Sequence, residues 1–268
     1  MNPLSESSSL AKLGQWWRVA ATGFCFACFG LGALLQGVSL WPLLYLSSRD
    51  RQRSRARVQR AVSGSMGAFV WLMRTVGVLS YEIHGRELLQ RRGQFVIANH
   101  PSLIDVVFLV SLMPEVDCIV KEALWRNPFL RWPVQWCGYI SNAFSGERLI
   151  ADCTVALQTG RSLLMFPEGT RTRPGQSHHM LRGAAQIALA AQVPVRLVLI
   201  RCQPATLHKG DPWYNSPRTR PHWDIRVRPE PLDLTTWRSE PTPLAARHLT
   251  QYWEQWFDTR VELDKPKD

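Results

Sequence analysis

An uncharged stretch, Val19–Ser48, constrains the fold of this chain more than any other feature of its sequence. About 20 consecutive apolar residues are enough for a helix to cross a bilayer, so the stretch is long enough to do so. Glycines at positions 23, 30 and 37 also allow a bend and a re-entrant hairpin. A buried core helix of this length would carry polar positions, and a cleaved signal peptide would show a small-residue cleavage site before the next arginines. The stretch therefore predicts a membrane helix or a helical pair.

An arginine-rich segment, residues 49–60, follows directly and contributes much of the formal net charge of +11. Arginines beside an apolar span mark the cytoplasmic side of a membrane, and they attract anionic headgroups. A basic run is also typical of nucleic-acid-binding arms. Its position beside the apolar stretch favours the membrane, and we expect no nucleic-acid partner. The sequence thus predicts a protein of the inner (plasma) membrane whose remaining chain lies on the cytoplasmic side.

The rest of the chain alternates between short apolar runs and helical patterns. A length of 268 residues and a hydrophobic fraction of 46% suit one substantial domain with additions. The predicted strands are 80–84, 94–98, 117–120, 138–141, 162–166, 195–201 and 223–228. The predicted helices within this region are 102–112, 128–136, 147–159 and 180–192. This alternation indicates an α/β fold in which helices cover a single mostly parallel or mixed sheet.

Four regions are expected from these patterns. Residues 1–15 are Ser-rich and predicted to be disordered, and 16–79 form a membrane-associated helical segment with a second apolar stripe at 58–79. The globular domain covers 80–242 and includes a proline-rich surface loop at 203–222 that suits an acceptor or membrane contact. Residues 243–268 form an amphipathic helix and a tail that pack on the domain. The six cysteines show no metal-binding spacing, so they are read as reduced and no metal site is expected.

The stretch Asn99–Asp105 carries a histidine and a carboxylate at a predicted strand-to-helix junction. His100 lies just before the helix, so its ring is free to fold back towards Asp105. A neutral imidazole accepts a proton from an alcohol near neutral pH, and a carboxylate on its other nitrogen stabilises the imidazolium. Ser102 lacks the G-x-S-x-G setting of a nucleophile, so it is read as a helix-start residue or a substrate contact. Alone, the pair also fits an ordinary helix cap.

A second stretch, Phe166–Arg171, forms a loop directly after a predicted strand. Ligands of open α/β sheets bind in the crevice at the carboxyl ends of strands. Gly169 allows a close backbone approach, and Arg171 offers two parallel N–H groups to a phosphate or carboxylate. Alone, the hexapeptide also fits an ordinary surface loop. His178 and His179, a little further on, are expected to lie on the surface.

In this order and at this distance, the two stretches resemble the glycerolipid acyltransferase family of the lysophosphatidic-acid acyltransferase (PlsC-like) type, with its H-x4-D and FPEG-T-R motifs. The resemblance covers about residues 80 to 205 and implies the PlsC-like fold. It also implies that His100 is the general base and that Asp105 orients it. The residues to which the resemblance gives substrate-binding roles are Glu168, Gly169, Thr170, Arg171, Lys121, Ser102 and Gly138.

The implied function is transfer of an acyl group from an acyl-thioester to the hydroxyl of a lysolipid-like acceptor. The donor is an acyl carrier protein or coenzyme A thioester, which acts as co-substrate, and no cofactor is expected. Backbone N–H groups at the start of the 102–112 helix are candidates to stabilise the oxyanion. The sequence does not indicate the oligomeric state.

The block G-x-I-x-x-x-R of the family begins at Gly138, but Phe144 stands at its arginine position. Because that arginine helps to bind the acceptor phosphate, acceptors without a phosphomonoester are an alternative to lysophosphatidic acid. Examples are a lyso-aminolipid or a lipid precursor of a secondary metabolite. Two further alternatives are a catalytically inactive lipid-binding relative and, from the basic charge, a nucleic-acid-binding protein.

Overall fold

The computed structural model describes residues 3–126, 131–143, 146–173 and 175–263. The strands are β1 Ser80–His84, β2 Phe95–Ala98, β3 Asp117–Val120, β4 Ile140–Ser141, β5 Leu163–Met165, β6 Val195–Gln203 and β7 His222–Val227. The helices are α1 Pro3–Val38, α2 Leu40–Leu46, α3 Arg51–Thr75, α4 Arg86–Leu89, α5 Asp105–Leu112, α6 Glu122–Arg126, α7 Arg131–Trp136, α8 Gly146–Gln158, α9 Arg182–Ala191, α10 Thr235–Arg238 and α11 Thr242–Leu263.

The strands form one mixed sheet with the order β1-β7-β6-β2-β5-β3-β4. Among the strands within the described residues, only the β6–β7 pair is antiparallel, so β1 and β7 run against the other five strands. The predicted fold class is therefore confirmed. Because β2, β5 and β3 are parallel neighbours, the segments that follow them emerge at the same edge of the sheet, as ligand-binding segments of α/β sheets do.

Two apolar layers enclose the sheet. The first contains side chains of α1, α3 and α5, such as Val62, Phe69 and Phe108. The second contains side chains of α8, α9 and α11, such as Ile187 and Trp253. The central strand β2 is buried at every position, which explains its continuous apolar sequence.

The N-terminal helix α1 lies antiparallel to α3. The Trp17 indole donates to the Val76 carbonyl at 3.0 Å near one end, and the rings of Phe29 and Phe69 are 4.7 Å apart further along. By length and composition, Leu13–Leu46 is apolar enough to cross a membrane. This agrees with the predicted helical pair at the N-terminus.

Residues 1–15 were expected to be disordered, but α1 begins at Pro3. From Gln15 onward the helix is held by the globular domain. Gln15 donates through its side-chain amide to the Ser216 carbonyl at 2.7 Å, and Arg18 donates to the Pro217 carbonyl at 2.9 Å.

The arginine-rich segment also makes contacts inside the protein. Arg55 forms an ion pair with the buried carboxylate of Asp117. Arg57 donates to the Ser47 hydroxyl at 2.6 Å. These contacts fix α3 to the sheet and to α2. The side chains of Arg49 and Arg51 are exposed.

Helix α11 packs its apolar face on the sheet through Leu249, Trp253 and Phe257. The predicted helix 128–136 lies partly outside the described residues, which begin again at Arg131. The tail from Asp264 lies outside them as well.

Candidate active site

The first motif begins where β2 ends. The buried Asn99 side chain donates to the Ile200 carbonyl at 2.8 Å and accepts from the Ile200 N–H at 2.7 Å, which ties the end of β2 to β6. His100 is the next residue, and α5 begins five residues later at Asp105. The backbone between them folds back, so the two side chains meet as the sequence predicted.

The imidazole of His100 contacts the carboxylate of Asp105, with Nδ1 and Oδ2 at 3.0 Å. Asp105 is fully buried and also accepts from the Ser102 N–H at 2.6 Å and from the Trp223 indole at 3.0 Å. Burial raises the pKa of Asp105, while the hydrogen bond from His100 and the other donors oppose that rise. An ionised carboxylate only accepts, so Nδ1 carries the ring proton and Nε2 is left as an acceptor.

The Nε2 edge of His100 is accessible. The side chain is 17% exposed, and its ring stacks on Phe166 with centroids 4.3 Å apart. Among the described residues, no hydrogen-bond partner occupies Nε2. The ring is thus held in orientation on one side and open to a proton donor on the other.

Glu168 joins the two motifs through the backbone. Its Oε1 accepts from the His100 N–H at 2.9 Å, and its Oε2 accepts from the Thr172 hydroxyl. The Thr172 N–H in turn donates a hydrogen bond to the His100 carbonyl at 3.1 Å. Burial raises the pKa of Glu168, and the hydrogen bond from Thr172 lowers it. In this geometry the carboxylate positions the His100 backbone, and it is buried rather than open to solvent.

Arg171 is engaged with a loop. Its guanidinium donates to the carbonyls of Leu207 at 2.7 Å and His208 at 3.1 Å. The Ser102 hydroxyl donates to the Thr206 carbonyl of the same loop at 3.0 Å and is completely buried. Both residues therefore hold the segment after β6 over the first motif.

Other residues of the two motifs are more open. Gly169 and Thr170 are exposed, and Gly169 has a φ of +65°, a conformation that glycine adopts without strain. The N–H groups of Ser102 and Leu103 already donate to the Asp105 carboxylate and the Leu207 carbonyl. These two groups therefore are not the oxyanion donors that the sequence suggested.

Lys121 and Gly138 lie at opposite ends of the parallel strands β3 and β4. Lys121 follows β3 and is exposed at the same edge as His100. Gly138 precedes β4, and its carbonyl accepts from the guanidinium of Arg55. A Cβ at position 138 would lie 2.6 Å from Cζ of Arg55, so the glycine makes room for that arginine. Gly138 therefore has a packing role, away from the histidine, and Phe144 lies outside the described residues.

Sequence reasoning missed three supports of the histidine: Trp223, Asn99 and Thr172. Trp223 lies 118 residues from Asp105 in the chain, and no local pattern marks it as a partner. The expectation for His178 is also wrong, because its ring is buried and bonded to Asp258 at 2.6 Å. This contact ties the segment after the second motif to α11.

Comparisons with known proteins agree with this geometry. A family model described as Acyltransferase matches residues 80–201. A 1-acyl-sn-glycerol-3-phosphate acyltransferase of Pseudomonas aeruginosa is 28% identical over 146 residues, which cover 53% of this chain and 57% of that protein. The comparisons thus show a likeness to acyltransferases over the region that carries both motifs.

The fold of this chain matches a solved structure. The crystal structure of the 1-acyl-sn-glycerophosphate (LPA) acyltransferase PlsC from Thermotoga maritima aligns with a TM-score of 0.68 and 19% identity, over 93% of this chain and 98% of the other. A lyso-ornithine lipid O-acyltransferase of Pseudomonas aeruginosa is 31% identical over 177 residues, which cover 64% of each chain. Matches to the two Pseudomonas proteins thus span less than two thirds of their lengths.

Proposed function

We propose that this chain is a membrane-associated O-acyltransferase that moves an acyl group from an acyl-thioester to the hydroxyl of a lysolipid-like acceptor. The observation that carries the proposal is the His100–Asp105 pair, which has one ring nitrogen bonded to a buried carboxylate and the other open. Its place at the carboxyl end of β2, beside the second motif, suits a substrate-binding crevice. The donor is an acyl carrier protein or coenzyme A thioester.

The proposed reaction uses His100 as a general base. Nε2 takes the proton of the acceptor hydroxyl while the hydroxyl oxygen attacks the thioester carbonyl carbon. The tetrahedral intermediate then expels the thiolate, which takes the proton back from the imidazolium, so an ester and a thiol leave the site. Asp105 stabilises the imidazolium between these steps, and Glu168 holds the His100 backbone in place. No step needs a bound cofactor.

The membrane would be contacted through α1 and α2. Their exposed large apolar residues are Leu13, Trp16, Trp17, Phe24, Leu31, Leu34, Leu35, Val38, Leu40, Leu43 and Leu46. Since α1 lies along α3, a placement of α1 in the interface of one leaflet keeps the globular domain at the bilayer surface. We place the domain on the cytoplasmic side of the inner membrane, where acyl-thioesters are available.

Replacement of His100 by alanine tests the catalytic assignment. General-base catalysis contributes about 10²–10⁴-fold, so the variant should lose transfer activity by that factor and still bind vesicles. His84→Ala is the matched control, because its ring is 55% exposed on the edge strand β1. A His100→Ala protein with full transfer rate would refute the assignment.

A lyso-aminolipid is a second candidate for the acceptor. The likeness to the lyso-ornithine lipid O-acyltransferase favours it, as does Arg171, whose guanidinium is engaged by two loop carbonyls and not held ready for a phosphate. Rates with lysophosphatidic acid and lyso-ornithine lipid, measured with the same donor, distinguish the candidates. A preference of tenfold or more for lysophosphatidic acid would eliminate the aminolipid.

A further inference from the structure

The loop between β6 and β7 runs alongside the N-terminal helix in its second half, residues 211–220. The Gln15 side chain donates to the Ser216 carbonyl at 2.7 Å, and Arg18 donates to the Pro217 carbonyl at 2.9 Å. Arg18 is itself buried, so this contact is part of the packed structure. The 211–220 loop and α1 therefore form one continuous surface.

Two aromatic rings of this loop remain exposed beside α1. Trp213 is 45% exposed and Tyr214 is 59% exposed. Trp213 packs against Phe26 with ring centroids 6.4 Å apart, and a Cβ at Gly23 would lie 3.0 Å from its ring. Trp213 thus packs on α1 at Gly23 and Phe26, which lie on either side of the exposed Phe24 in the chain. Tyrosine and tryptophan at such positions are typical of the membrane–water interface.

The same loop carries exposed positive charge. Arg218 and Arg220 are exposed, and within the described chain their guanidinium groups have no assigned partner. Asp211 is the only acidic residue of the loop, and Lys209 precedes it. The loop is therefore both aromatic and basic, the combination that complements an anionic lipid surface.

We propose that the 211–220 loop is a second membrane-contact element, distinct from the N-terminal helices, and that its partner is an anionic bilayer. The rings of Trp213 and Tyr214 enter the interface, and Arg218 and Arg220 bind headgroup phosphates. The proposal rests on the membrane placement of α1 proposed above, because the two surfaces are continuous.

The first half of the loop contacts residues of the proposed active site. Thr206 accepts from the Ser102 hydroxyl, and Leu207 accepts from Arg171. When residues 211–220 contact the bilayer, the loop therefore places the open side of His100 close to the lipid surface. A lysolipid acceptor then reaches the histidine along this loop without leaving the bilayer surface.

Site-specific fluorescence tests the contact without any measurement of transfer. Cys28, on α1, is the exposed cysteine, and the other five cysteines are buried. A polarity-sensitive probe on Cys28 reports on α1, and a probe on Tyr214→Cys in a Cys28→Ser background reports on the loop. Leu244→Cys in that background is the control, because Leu244 is 44% exposed on α11, at the opposite face of the sheet.

With phosphatidylglycerol vesicles, we expect the probe emission to shift to the blue at positions 28 and 214 and to stay constant at 244. A shift at 28 without a shift at 214 would overturn the loop contact and leave the placement of α1 intact. No shift at either position would overturn both. An equal shift at 244 would overturn the assignment of a specific membrane face.

Charge removal tests the headgroup contact. We expect Arg218→Gln with Arg220→Gln to lower the ratio of vesicle affinities, phosphatidylglycerol over phosphatidylcholine, by about tenfold, since each basic residue near an anionic surface adds to binding. The ratio cancels the apolar contribution of α1. Arg238→Gln with Arg247→Gln removes the same charge from exposed positions of α10 and α11 and should leave the ratio unchanged. Equal ratios for the two double variants would refute headgroup binding by the loop.

Discussion

Replacement of Trp223 by phenylalanine removes one of the three donors to the carboxylate of Asp105. The indole N–H lies 3.0 Å from Oδ1, and both side chains are almost completely buried. Water cannot replace the lost bond at a site that is closed to solvent. A hydrogen bond to a charged group contributes about 1.5–3 kcal/mol, so the free energy of unfolding should fall by that amount plus the cost of the smaller ring.

Trp253→Phe separates these two costs. Trp253 is fully buried on α11, and within the described chain its indole N–H has no hydrogen-bond partner. The same change of volume there breaks no hydrogen bond. In denaturant unfolding in detergent micelles, Trp223→Phe should therefore lose about 1.5–3 kcal/mol more than Trp253→Phe at neutral pH. Equal losses would refute the role of the indole.

The extra stability lost by Trp223→Phe, relative to Trp253→Phe, depends on pH. Burial raises the folded-state pKa of Asp105, so the stability that this group contributes is present below its unfolded pKa and is lost as the pH rises through the folded value. The hydrogen bond from Trp223 lowers the pKa of Asp105, so its loss raises that pKa further. The difference between Trp223→Phe and Trp253→Phe in lost free energy of unfolding should therefore shrink as the solution is acidified, because a neutral Asp105 needs fewer donors.

The same change should reduce transfer and shift its pH dependence. If the whole 1.5–3 kcal/mol appears in the transition state, kcat falls by about 10- to 160-fold. The acid limb of the rate profile should move to higher pH, because protonated Asp105 no longer stabilises the imidazolium of His100. An unshifted limb with unchanged kcat would show that Asp105 is held by its other donors alone.

Two further predictions concern charged groups. Glu168→Gln should lower kcat about tenfold while vesicle binding stays normal, because a neutral acceptor holds the His100 N–H less firmly than a carboxylate; an unchanged kcat would contradict this. Arg55→Met should lower the free energy of unfolding by about 1.5–3 kcal/mol, because it removes one charged hydrogen bond from the buried Asp117 carboxylate, which keeps its contacts with Arg161 and Gln59. Arg53→Met is the control, since its pair with Asp50 is exposed and should contribute less than about 1 kcal/mol; equal losses would contradict the argument.

The strands and helices could be predicted from the sequence because their signals are local. The run Phe95–Ala98 is apolar at each position and is a strand buried on both faces. Alternation of such runs with helical patterns indicated the α/β class. The shortest element was the least predictable: β4 is limited to Ile140–Ser141 because the N–H groups of Gly138 and Tyr139, expected within the strand, still donate to carbonyls of α7.

The sequence by itself predicted which residues carry the proposed chemistry. His100 and Asp105 are five positions apart on either side of a helix start, so short-range geometry nearly requires that they meet. Glu168 joins them because β5, which it follows, pairs with β2 in the sheet. Tertiary structure alone decided what each polar group contacts. Trp223 supports the carboxylate, and Arg171 holds the 204–221 loop, because strands distant in the chain lie close together in the sheet: β6 and β5 flank β2, and β7 lies beside β6. Such partners depend on which segments pack together, and a motif of a few residues contains no information on that.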